Sequence, residues 1–299
     1  MMPLLRLQER SCSKMFALLQ RNIKIYFSNI SGVIMSCLGA LISFFIYIGF
    51  LQKNLASSWS HISNANEMLD LWMIAGIVAI AGITTSFQAL GQWVKDQETR
   101  TIDDMKLTDV SASQQLLAYV LSGAIIGLIM QIIVFIVMSS YFTATDHVSI
   151  PTSAYLPALS YILITSIAAA SLNAIIVFFI HSSTTFSRLS AVISAASGFA
   201  VATYIPYGTL PSHAQTLVKL IPSSYETAAL RSLLLNPIIK NDFSPNVRKY
   251  LVAYLGIYFK INGYQLNQID NALIMLGMTI VLIILIIVLT FWAERKRNN

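Results

Sequence analysis

Apolar residues along this chain gather into long runs, and polar residues gather between them. The runs fall at about 32–51, 71–90, 116–142, 156–180, 189–206 and 272–292. Each is near the roughly 20 residues that a helix needs to cross the hydrocarbon of a bilayer, so the pattern predicts six membrane spans. Residues 1–29 alternate differently. Wound at helical spacing, Cys12, Phe16, Leu19, Ile23, Tyr26 and Phe27 share one face, while Arg10, Lys14, Arg21 and Lys24 share the other. Apolar opposite basic predicts an interfacial helix drawn to anionic lipid head groups. The fold class that follows is an all-α integral membrane protein. It has an N-terminal amphipathic helix at 1–29 and a transmembrane domain at 30–299.

Two polar stretches break this rhythm. In 94–113, VKDQETRTIDDMKLTDVSAS, eight charges crowd into fifteen residues. Asp96 and Arg100, four apart with the acid first, support a helix by roughly 0.2–0.5 kcal/mol. Val94, Ile102 and Met105 can share one helical face. Ser111 and Gln114 then have the spacing of a capping box for the next span. The second stretch, 207–271, is too long for a turn and too polar to span. Ser223 and Glu226 after Pro222 form a second possible capping box, with a helix running to a stop at Asn236–Pro237. Ser244–Pro245 opens another helix, with Val247, Tyr250, Leu251, Tyr254 and Tyr258 on one face, and Asn262–Gly263 marks a turn. Short helices forming a cap or gate before the last span are the expectation here.

Composition fixes the class. The chain is 56% hydrophobic and 11% charged, whereas soluble domains carry about 25% charged residues. Lys and Arg are concentrated in the N-terminal segment, in 94–113 and in the tail, and are absent from 143–155. The bias toward cytoplasmic basic loops therefore puts both termini and 94–113 in the cytoplasm of a multi-pass plasma-membrane protein, and 207–271 outside. Trp59 and Trp72 then fall at the outer edge, Trp93 and Trp292 at the inner edge, as aromatic belts. No basic soluble face exists for nucleic acid. Cys12 and Cys37 give no disulfide framework, and no cleavable signal peptide is expected.

The chemistry is sparse. No Asp, Glu, Lys or Arg lies inside a predicted span, which argues against proton relays and voltage sensing. Thr84, Thr85, Gln88, Gln131, Ser171 and Asn173 are milder polar positions, open to two readings: hydrogen bonds between helices or a lining for a translocation path. Ser190, Ser194, Gly198 and Ala202 recur every fourth residue, a spacing that lets helices approach closely. There is no HExxH, CxxC, GxSxG or GxxxxGK[ST] sequence, so no catalytic residues, metal or bound cofactor are expected in this chain. Energy for uphill transport has to come from an ion gradient or from a partner, and uncharged spans disfavour the first.

LDLWMIAGIVAIAGITTSFQALGQWVKDQETRTIDDMKLTDV, continuing into QQLLAYVLSG, resembles the permease subunits of bacterial ABC type-2 exporters, in their Gram-positive multidrug and toxin-export branch. The matching positions are Trp72, Ala75, Gly76, Thr84, Thr85, Val94, Asp96, Glu98, Asp104 and Tyr119. Pro222, Tyr225 and Arg231 are similar to a second family segment on the outer side. The sequence departs from the family pattern at Met105, where phenylalanine is usual, and at Asp109, where proline is usual. The resemblance implies that Val94, Asp96, Glu98, Arg100, Ile102, Asp104 and Met105 couple the chain to an ATPase. It implies a central translocation path lined mainly by the second and fifth spans, for which the polar Thr84, Thr85, Gln88, Gln131 and Asn173 are the candidate residues. An outer gate would include Pro222, Tyr225 and Arg231. Two copies of an ABC ATP-binding subunit carrying ATP and Mg are implied as partners, with a second permease, most simply in a homodimer. The implied activity is export of a hydrophobic or amphipathic cargo such as a drug, toxin, peptide or lipid-like compound. Export of a lipid-linked polysaccharide, ion-coupled secondary transport and a scaffold without transport stay open as alternatives.

Overall fold

The computed structural model describes residues 2–59, 64–106, 110–261 and 263–298, and the side chains among them other than those of 2–12, 58, 106, 241–242 and 292–298. The sequence-predicted features that rest on the side chains of Arg10, Cys12 and Trp292, and on Asp109 and Asn262, lie outside what is described. Helices follow one another as α1 (Met2–Ser28), α2 (Ile30–Ser36), α3 (Leu38–Ile46), α4 (Gln52–Ser58), α5 (Ala65–Glu98), α6 (Thr101–Lys106) and α7 (Ala112–Asp146). Then come α8 (Thr152–Phe178), α9 (Ser183–Ala200), α10 (Ser212–Lys219), α11 (Pro222–Asp242), α12 (Pro245–Tyr254) and α13 (Gln268–Asn298). Strands β1 (Lys260–Ile261) and β2 (Tyr264–Gln265) pair as a small antiparallel hairpin before α13. Gly263, at φ +83°, supplies the left-handed residue of its turn.

Among the described residues, five helical stretches are long and apolar enough to cross a membrane: Leu38–Ser57, Ala65–Glu98, Ala112–Asp146, Thr152–Phe178 and Gln268–Phe291. The fifth expected span, 189–206, corresponds to α9, which is 18 residues long, or about 27 Å. Ser183, Thr184, Thr185, Ser187, Arg188, Ser190, Ser194 and Ser197 make it less apolar than the other five. It starts six residues before the expected 189 and ends at Ala200, where Ala202 turns the chain at φ +51°. The first span is also displaced from 32–51, because Cys37 (φ −88°, ψ 2°) breaks the helix between α2 and α3. A π-turn at Tyr47–Leu51 joins α3 to α4, and the Gln52 N–H donates to Tyr47 O across it. Gln52 is thereby stacked over Tyr47, and their side chains both donate to Oδ1 of the buried Asp70, at 3.0 and 2.6 Å.

The architecture is built around α5. Of its most apolar stretch 94% is buried inside the chain, against 22% for Leu38–Ser57 and 17% for Gln268–Phe291. Helices in hydrocarbon gain little by burying apolar surface, so close packing and hydrogen bonds must hold them. Gly123 and Gly127 of α7, four apart, supply the closeness. A Cβ at Gly127 would meet Ser86 Cβ at 3.3 Å and Gly82 O at 3.7 Å. This GxxxG spacing is a packing signal that the apolar run around it does not reveal. The small-residue stripe on α9 is likewise in close contact: a Cβ at Gly39 of α3 would meet Ser194 O at 3.0 Å. At Gly76 a Cβ would overlap the Thr203 side chain. Gly76→Ala is therefore expected to cost about 1–3 kcal/mol. Thermal unfolding in detergent should show that loss, and Thr203→Ala should recover most of it.

The segment 207–271 corrects several expectations. α11 is no cap resting on the surface. Pro222 through Ser232 are buried without a break, and Leu234 and Leu235 follow them into the core, against α5, α8 and α13. The expected capping box at Ser223 is absent, because α11 starts on Ile221 as N-cap with Pro222 first, and Glu226 is turned into the core. Nor does Pro237 stop the helix, which continues to Asp242. Leu235 and Ile239 are anchored in the core on either side of it, and Asn236 Nδ2 donates to Tyr258 Oη at 2.8 Å. Ser244–Pro245 does open α12, but Val247 and Tyr250 of the expected apolar face are exposed. The aromatic belts are corrected too. Trp72 is 0% and Trp93 7% exposed, so both pack within the chain rather than at a lipid edge.

Candidate functional site

Beyond its apolar stretch α5 continues for about two turns, and there three helices meet on one carboxylate. Asp96 is 2% exposed. It accepts from Arg21 Nη1 at 2.7 Å and Nη2 at 3.0 Å, from Tyr119 Oη at 2.6 Å, and from Gln92 Nε2 at 2.7 Å. The two-pronged guanidinium contact fixes direction as well as distance. Four donors satisfy an acid that would be costly to bury alone. The hydrogen bond to Asp96 also raises the pKa of the Arg21 guanidinium above its ordinary value. Behind this clamp, the buried Asn22 donates to Ser122 Oγ of α7 at 3.4 Å.

Two expectations change here. Helical periodicity puts Arg21 on the outward basic face of the first helix. Leu19, Ile23, Tyr26 and Phe27 of the expected apolar face do pack against the bundle, joined by Leu18 and Asn22, whereas Phe16 is 63% exposed. Arg21 reaches inward from the edge of that face. Sequence spacing pairs Asp96 with Arg100, yet the chain leaves the helix after Glu98 and Arg100 sits in the turn at φ 60°.

That turn separates α5 from the short α6. Val94 on one side and Ile102 and Met105 on the other still join one apolar cluster with Trp93 and Tyr119. The apolar face of this segment is thus turned toward its own chain. Asp103 and Asp104 are exposed. Glu98, also exposed, accepts from the Ser183 backbone N–H at 3.2 Å and from Ser183 Oγ. An acid at a helix N-terminus is favourable, and this one ties the end of α5 to the start of α9. The capping box at Ser111 is present: Gln114 N–H donates to Ser111 Oγ at 3.3 Å, and Ser111 N–H to Gln114 Oε1 at 3.1 Å.

The milder polar residues are spread over three settings. Thr85 Oγ1 donates to Ala81 O within α5, and Thr84 is 3% exposed. Asn173 Nδ2 donates to Ile83 O and Ser86 Oγ, both at 2.9 Å, joining α8 to α5. Ser190 Oγ donates to Gln88 Oε1 at 2.9 Å, joining α9 to α5. Gln131 is fully buried beside Gly82, with neither amide atom hydrogen-bonded. A cleft of about 160 Å³ opens between α8, α9 and the start of α11, lined among others by Ile83, Asn173, Ser197 and Ser223. Of the five predicted path residues, it takes in Asn173. The other four lie on α5 and α7, and the apolar stretch of α5 is almost wholly enclosed by its own chain.

At the other end of the bundle, Arg231 is 1% exposed. It donates to Leu255 O at 3.0 Å and Ala202 O at 2.9 Å, and its guanidinium lies over the Trp72 ring at 4.7 Å. Trp72 Nε1 donates to the same Leu255 O, at 3.0 Å. Tyr225 Oη donates to Lys219 O at 2.9 Å and its ring meets Phe259 edge-on. Pro222 is the first residue of α11. The three predicted gate residues are thus brought onto one helix that is locked into the bundle. Arg21 and Ser183 belong to the site at the other end and escape sequence reasoning, since nothing local pairs them with Asp96 and Glu98.

A family model described as "ABC-2 family transporter protein" matches residues 65–293. No curated protein matches the chain.

Proposed function

Since the chain belongs to the ABC-2 transporter family, and is thus the membrane subunit of an ABC transporter, we propose that it exports hydrophobic or amphipathic cargo. The multidrug and toxin-export branch is the reading that its sequence resemblance favours. The motor is a separate ATP-binding subunit, present in two copies, which carries ATP and Mg. Both termini and the 94–113 segment lie in the cytoplasm, as its basic residues favour. A second copy of this permease completes the transporter, packed on the exposed side of α9 that includes Val192 and Phe199.

The observation that carries this reading is the construction of 94–113. A short exposed helix with Asp103 and Asp104 outward is braced from behind by Asp96 on α1 and α7, and by Glu98 on α9. A motor that moves α6 therefore pulls on three helices together. Cargo passes beside α8, α9 and the start of α11, where the cleft near Asn173 lies. Among the described residues no charged side chain lines that cleft, which suits a cargo without strong charge.

The test is co-purification with an ABC ATPase, followed by ATP hydrolysis and transport against candidate cargoes. With both Glu98→Ala and Asp104→Ala in place, expression should persist while cargo-stimulated hydrolysis falls at least about fivefold. Unchanged transport in that variant would reduce 94–113 to a solvated loop. Failure to form a complex with any ATPase would remove the whole proposal.

A further inference from the structure

A cleft of about 250 Å³ lies between α1, α5 and α9, behind the amphipathic helix. Its lining includes the polar Asn29, Gln92 and Lys95 and the more apolar Ile25, Tyr26 and Phe186. The charges around it are mostly committed. Asp96 is held by Arg21, and Glu98 by Ser183 at the start of α9. Lys95 is exposed, lines the cleft, and forms no ion pair among the described residues. The cleft lies just past Leu90, where the apolar stretch of α5 ends.

We propose that this cleft binds the head group of an anionic phospholipid of the inner leaflet, with Lys95 as its counter-ion. The depth rests on the cytoplasmic placement of 94–113 proposed above. The head-group phosphate lies between the Lys95 ammonium and the side-chain amide N–H of Asn29, because Gln92 Nε2 is already committed to Asp96. The glycerol and upper acyl chain lie along Ile25, Tyr26 and Phe186. Charge complementarity selects this occupant: a cation beside an amide donor, with apolar lining residues at interfacial depth, matches an anionic amphiphile. Diffuse attraction of the basic face of α1 is a different effect, and involves residues such as the exposed Lys24.

The full chain, purified into nanodiscs of phosphatidylcholine, would be titrated with fluorescent dioleoylphosphatidylglycerol. Lys95→Gln should weaken binding roughly fivefold, the worth of one lysine at an anionic surface. Lys95→Arg should retain it, and Lys24→Gln should leave it nearly unchanged. Equal losses in Lys95→Gln and Lys24→Gln would mean diffuse attraction and overturn the site. So would an unchanged affinity in Lys95→Gln, or competition by inorganic phosphate as effective as by unlabelled lipid. The measurement needs no ATPase, so it fails or succeeds apart from the export reading. Accessibility of the thiol in Asp104→Cys, made with Cys12→Ser and Cys37→Ser and probed from each side of sealed vesicles, separately checks the orientation.

Discussion

Asp96→Ala should lower stability by about 3 kcal/mol, the low end of the range for breaking a buried ion pair. The lower end applies because Arg21 is 35% exposed, so water can partly satisfy the guanidinium that is left behind. Tyr119 loses its acceptor at the same time. Thermal unfolding in detergent measures the loss. Arg21→Ala with Asp96→Ala should cost less than the two single changes added together, because the two groups interact directly. In the assembled transporter, Asp96→Asn should preserve the fold better than alanine while weakening the link between α1 and α5. A loss below about 1 kcal/mol in Asp96→Ala would place the pair with ordinary surface ion pairs and deny it a bracing role.

Arg231→Ala is the second large effect, at about 3–5 kcal/mol. It combines a cavity under α11 with the loss of two donors to Leu255 O and Ala202 O and of the contact over Trp72. Lysine cannot replace it, because one ammonium lacks the flat fork that reaches both carbonyls. Both variants should therefore unfold early, and should expose the α11–α12 region to protease first. If Arg231→Lys matched the wild type in unfolding temperature, the two carbonyl bonds would not be what holds α11.

Much of the fold is legible in the chain because the bilayer imposes a simple rule. A helix that crosses hydrocarbon must be apolar for most of its length, and α5, α7, α8 and α13 overlap their predicted runs closely. The runs understate α5 and α7, since helices continue past the apolar stretch into water and hydropathy does not register the extra turns. α11 reads as a surface element for the opposite reason. Glu226 and Arg231 lower its mean hydropathy, yet both are buried, and the carbonyls that receive Arg231 come from distant segments. At the candidate site, the capping box at Ser111 is legible because its partners are three residues apart. The Arg21–Asp96 and Glu98–Ser183 contacts span 75 and 85 positions, and no local pattern announces them.

The uninterrupted length of α5 has a mechanical consequence. At 34 residues it is a beam of about 51 Å, with no proline along it to act as a joint. Its close packing against α7 near Gly82 and Ser86 makes a fulcrum close to mid-length. A tilt of about five degrees about that point carries each end roughly 2 Å, in opposite directions, by the same helical rise. A small displacement at Glu98 would thus arrive at Trp72, beneath Arg231, with its direction reversed and its size reduced to roughly two thirds, because Trp72 lies nearer the fulcrum.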